Sequence, residues 1–165
     1  MRPAAPIRCS FTALTTFSST SALGANTTAD NNTAVGNKAM LVNTTGAGNT
    51  AIGHSAMVAN TTGANNTAFG LNALSVNTTG TENHSSGYAS LSNNTTGDYN
   101  TAVGARALLT NTTASENTAV GYKALHANTT GADNVAVGVN VLAANTTGDL
   151  NTAVGRLAMF TNTTG

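Results

Sequence analysis

The sequence contains no tryptophan, one cysteine and two prolines, and only 7% of its residues are charged. A typical globular chain is about one quarter charged. The single Cys9 excludes a disulfide framework within the chain. Lysine and arginine number six, balance six acids and are scattered. Nucleic acid is therefore an unsuitable partner, because phosphate binding needs clustered cations. No apolar run is long enough to span a membrane. The start of the chain carries Arg2 and Arg8, but Pro3 and Pro6 interrupt its apolar stretch, so it does not read as a secretory signal. Aromatics are 4% of the chain. A globule built from such small side chains would bury little apolar area per residue, whereas a thin stacked core shares its burial between neighbours.

In place of these features stands a repeat. Asn-Thr-Thr recurs with a period of 17 residues, with its asparagine at Asn26, Asn43, Asn60, Asn77, Asn94, Asn111, Asn128, Asn145 and Asn162. A second marker, Asn-Thr-Ala-Val-Gly in full or varied form, keeps the same beat from Asn32 to Asn151. A fixed short period is the signature of a solenoid. Taking the asparagine of the second marker as coil position 1, three units are expected: a weakly structured segment 1–14, a degenerate capping coil 15–31 and a regular array 32–165. The chain stops inside a repeat, at Gly165, which reads as a segment of a longer protein.

Position 4 is Val35, Ile52, Phe69, Val103, Val120, Val137 and Val154, with Ser86 as the exception. β-Branched and aromatic residues favour strand. Position 9 is always Leu or Met, including Leu74, Leu91, Leu108, Leu125 and Leu142. We expect these two ladders to form the core, so that Val120→Asp would bury an unpaired charge. Position 5 is Gly36, Gly53, Gly70, Gly87, Gly104, Gly121, Gly138 and Gly155, and position 15 is also mostly glycine. Glycine supplies positive φ, so these are the expected corners. The resulting fold class is all-β: a parallel β-solenoid of about nine coils, two short strands per coil, forming a rod of about 40 Å at the usual strand spacing. A coil with one helical turn over 122–127 is the second choice.

Stacked at that spacing, the asparagines of Asn-Thr-Thr can hydrogen-bond along the rod as an amide ladder. The two threonines that follow would face opposite sides, one inward and one outward. Positions 3 and 4 are both apolar in most coils, as in Ala34 and Val35. Adjacent strand residues face opposite sides, so one stripe fills the coil and the other is left wet. Wet apolar stripes mark interfaces. Self-association is therefore expected, into a homotrimer or another lateral or end-to-end assembly.

Asn-Thr-Ala-Val-Gly-x-x-Ala-Leu-x-x-Asn-Thr-Thr-Gly resembles a repeat of phage tail fibres and large bacterial surface proteins. It is similar, more loosely, to the head repeat of trimeric autotransporter adhesins. The resemblance runs from Thr15 to Gly165. It implies a trimerised parallel β-roll, an extracellular, cell-surface or virion location, and a surface receptor or glycan as partner.

Catalytic, cofactor and metal sites are not expected. His54, His84 and His126 fall at positions 6, 2 and 10, and no carboxylate or nucleophile recurs beside them. The acids Asp30, Glu82, Asp98, Glu116, Asp133 and Asp149 all lie at positions 16 or 17, as a solvated edge. Every Asn-Thr-Thr is also an N-glycosylation sequon, and Asn31, Asn65, Asn83 and Asn93 begin others. Coil 83–99 is the least regular and reads as drift. The alternative to a fibre is an ice-binding solenoid. Its threonine row would be Thr33, Thr50, Thr67, Thr101, Thr118 and Thr152, broken by His84 and Val135, or the outward threonine of Asn-Thr-Thr.

Overall fold

The computed structural model describes residues 21–165. Segment 1–14 and the first part of the capping coil lie outside the described residues. One eight-stranded parallel sheet runs in sequence order: β1 Thr33–Val35, β2 Thr50–Ile52, β3 Thr67–Phe69, β4 His84–Ser86, β5 Thr101–Val103, β6 Thr118–Val120, β7 Val135–Val137 and β8 Thr152–Val154. Each strand pairs with the next in the register of the repeat, as Thr101 with Thr118 and Val103 with Val120. The chain is a β-solenoid, with eight strands where about nine coils were expected.

Each coil has one strand, not two. After the glycine at position 5 the backbone turns through non-glycine residues with left-handed φ at positions 7 and 9, such as Arg106 (60°) and Leu108 (49°), and again at position 17, such as Glu116 (61°). Such conformations cost about 1–3 kcal/mol each unless the surroundings over-determine them. Here inter-coil bonds hold them: Arg106 N–H donates to Tyr88 O, Leu108 N–H to Ala124 O and Glu116 N–H to Asp98 O. Coil-to-coil bonding therefore continues around turns where no strand forms. No helix forms among the described residues, 122–127 included.

Position-5 glycine is required for two reasons. Gly104 has φ 129°, and a Cβ there would stand 2.6 Å from the Gly121 carbonyl oxygen. Position 15 differs from expectation: apart from the terminal Gly165 its glycines have no positive φ, and Ala114 occupies it with near-complete burial. Its role lies in its carbonyl. Gly63 O accepts from both Asn49 Nδ2 at 2.8 Å and Asn60 Nδ2 at 2.9 Å. Ala114 O does the same for Asn100 and Asn111.

The core corrects one expected ladder. Leu74, Leu91, Leu108, Leu125 and Leu142 are fully buried, with Met40 and Met57 in the same row. The alanines of positions 3 and 8 pack beside them. Position 4 faces out: Ile52, Phe69 and Val137 are 37%, 38% and 36% exposed. Val154 is more exposed still, and Val35, Val103 and Val120 are half-buried. The reason is strand alternation anchored by asparagine. The position-1 side chain points inward, so position 3 does too, and positions 2 and 4 are turned outward.

Candidate functional site

Two buried amide ladders hold the coil shape. In the expected row at position 12, Asn77 Nδ2 donates to Asn60 Oδ1 at 2.8 Å and to Gly80 O at 2.9 Å, and its Oδ1 accepts from Asn94 Nδ2 at 3.0 Å. The second row, at position 1, was not singled out from the sequence. There Asn83 Nδ2 donates to Asn66 Oδ1 at 3.1 Å and Gly97 O at 2.8 Å, and Asn66 Oδ1 also accepts from the Asn83 backbone N–H at 2.9 Å. Both Nδ2 hydrogens and the Oδ1 are thus used in most interior amides, while Asn49 Nδ2 makes one such bond, to Gly63 O. That satisfaction makes burial of so much polar surface tolerable. The exact recurrence of Asn32, Asn49 and their successors was the available signal.

The Asn-Thr-Thr threonines do not split inward and outward. Position 13 is half-buried and its hydroxyl donates along the rod, as Thr95 Oγ1 to Thr112 O at 2.9 Å. Position 14 is exposed without interruption, from Thr45 to Thr147. Inward-facing positions on this side are 12 and 15.

The surface with the strongest character is the outer face of the sheet. Positions 2 and 4 point from it, so Thr67 and Phe69 stand beside Thr50 and Ile52 and, farther along, Thr118 and Val120. It carries no formal charge; His84 is its one titratable side chain. Charges lie along its two borders. The acids of positions 16 and 17 precede six of the strands, all but β2 and β3; Lys38, Arg106, Lys123 and Arg156, at positions 6 and 7, follow β1, β5, β6 and β8. Arg106 lies over the Tyr88 ring at 5.7 Å and Lys123 over the Tyr122 ring at 5.3 Å.

The histidines do not converge. His126 sits beside a shallow depression of about 310 Å³ lined also by Lys123, Asn140, Ala143, Ala144 and Phe160. Burial, then the positive charges of Lys123 and Arg106, hold its imidazole below the ordinary histidine range. That lining offers no carboxylate and no hydroxyl to pair with the imidazole. The acids do structural work at their corner: Asp98 Oδ1 accepts from Thr81 N–H at 2.7 Å and Asp149 Oδ1 from Ala132 N–H at 2.7 Å. No cluster of three metal-ligating side chains occurs among the described residues. No helix there is long and apolar enough to cross a membrane.

Coil 83–99 is not simple drift. Ser85 and Ser90 replace the core alanines of positions 3 and 8 together, both fully buried, with their hydroxyl oxygens 2.6 Å apart. Ser86, at position 4, faces outward and does not weaken the core.

The fold defines the class: a parallel β-roll of the solenoid kind, built on asparagine ladders. No family model, curated protein or solved structure matches the chain.

Proposed function

We propose that this chain is a structural rod, a segment of an extracellular or virion fibre or surface adhesin, that associates laterally with copies of itself, as a homotrimer, and displays a repetitive surface to a receptor or glycan. One observation carries the reading. The interior is already filled and hydrogen-bonded, yet a second, uncharged Thr/Val face runs the length of the sheet and has no partner among the described residues. Eight strands at about 4.8 Å give a face about 38 Å tall, and each three-residue strand is about 10 Å long. That is roughly 380 Å² of flat sheet, about half of what one partner contributes to an interface of standard size, so the flanking border residues must supply the rest. Repetition serves the mechanism: each coil is templated by the one before, so length is gained without a new core. Light scattering combined with electron microscopy of particle width tests this. The reading requires a particle wider than one coil and heavier than one chain.

A second reading, ice binding, is favoured by the uninterrupted exposed threonine row at position 14. That row lies on a different side of the coil from the sheet face. Thermal hysteresis in a nanolitre osmometer supports it if present and removes it if absent at millimolar protein.

A further inference from the structure

The charged borders of the sheet face are matched strand by strand. Asp30 precedes β1 and Lys38 follows it; Asp98 and Arg106 flank β5, Glu116 and Lys123 flank β6, and Asp149 and Arg156 flank β8. β2 and β3 have neither sign, and β4 and β7 have an acid alone, Glu82 and Asp133. Every described cation therefore has a carboxylate at its own level of the rod, on the opposite border. Within one chain the strand and its flanking turns stand between the two.

Symmetry gives this pattern a use. An axis parallel to the rods turns the acidic border of one copy toward the cationic border of its neighbour, for two copies or for three. A two-fold axis across the rods, which would make them antiparallel, sets acidic border against acidic border and cationic against cationic. Closed assemblies use one such operator throughout, and like charges brought together cost affinity.

We propose that these level-matched borders make lateral association parallel and unstaggered, with Lys123 of one copy meeting Glu116 of the next, Lys38 meeting Asp30, Arg106 meeting Asp98 and Arg156 meeting Asp149. This rests on the lateral assembly proposed above and specifies its geometry. The Thr/Val face supplies the attraction. The pairs are at the rim, where each adds little affinity but selects orientation and register. A slip of one coil toward the C-terminal end leaves Lys38 without a carboxylate, because neither Ala47 nor Gly48 carries charge.

Zero-length carbodiimide cross-linking of a mixture of ¹⁵N-labelled and unlabelled protein tests this directly, because it joins only ammonium and carboxylate groups in contact. Mixed-isotope Lys123–Glu116 and Lys38–Asp30 peptides are expected. Lys123–Asp98 or Lys123–Asp133 peptides in their place would mean a slipped register and overturn the proposal. An oligomer with no mixed lysine–acid peptide overturns it too, leaving lateral assembly standing. A monomer by light scattering removes both. As a second arm, Lys123→Glu should raise the dissociation constant several-fold, and adding Glu116→Lys should restore it. Failure of the double reversal to recover affinity, with both variants folded by circular dichroism, also counts against it.

Discussion

Ser85 Oγ lies 2.6 Å from Ser90 Oγ inside a core where neighbouring coils place two alanines. Two hydroxyl protons serve three contacts there: one hydroxyl donates to the other, and the second donates to a carbonyl, Ser90 O at 2.8 Å from Ser85 Oγ or Gly87 O at 3.1 Å from Ser90 Oγ. The two substitutions are one unit. Removing one buried hydroxyl disturbs its partner, while replacing both with apolar groups can be nearly neutral. Ser85→Ala should cost about 1 kcal/mol, and Ser85→Ala/Ser90→Ala should return to within about 0.5 kcal/mol of the parent. Urea unfolding of the three variants reads the coupling.

The amide ladder predicts a larger loss. Asn111→Ala removes the bonds from Asn111 Nδ2 to Asn94 Oδ1 and Ala114 O, and leaves Asn128 Nδ2 without its ladder acceptor. Three buried bonds at about 1 kcal/mol each give roughly 3 kcal/mol. Asn111→Asp should cost more, since a carboxylate would face two oxygens it can no longer donate to. Denaturant midpoints check the order. A midpoint unchanged by Asn111→Ala would mean that the ladder contributes nothing net.

Core and face separate cleanly in a pair of substitutions. Leu108→Ala empties a fully buried site and should destabilise by about 2–5 kcal/mol. Val120→Asp, on the outer face, should leave the circular dichroism of the fold unchanged while lowering the mass seen by light scattering. An unfolded Val120→Asp protein would return position 4 to the core.

The two glycine rows should respond differently. Gly104→Ala combines φ 129° with a Cβ 2.6 Å from Gly121 O, so the coil must open. Gly131→Ala carries no φ strain and has Ala114 as a precedent at the same coil position, but its Cβ would stand 2.4 Å from Gly148 O and 2.6 Å from Asn128 Oδ1, so the coil must shift there too. Thermal melts should show a loss for both, larger for the first, where the φ strain adds to the contact.

These contrasts mark how far the sequence could be read. Period and fold class were legible because spacing is a backbone property: every coil must close on the one before. The Asn-Thr-Thr ladder was legible because identical amides at strand spacing have one good arrangement. Facing was misread at position 4. Val120 is more apolar than Ala119, and hydrophobicity alone puts the larger residue inside. The deciding residue was Asn117, whose inward amide sets the strand's phase. The second strand expected of each coil was misplaced because Leu108 and Arg106 accept left-handed φ, a choice propensity argues against and inter-coil bonding enforces. The charged borders of the candidate face were visible as positions, but their pairing by level needed the strand between them.

The mass in solution, measured by light scattering across a range of concentrations, tests the central claim most directly. A stable particle near three times 16.4 kDa is the result predicted for a rod whose Thr/Val face is buried against its copies. A monodisperse 16.4 kDa species at every concentration would contradict it.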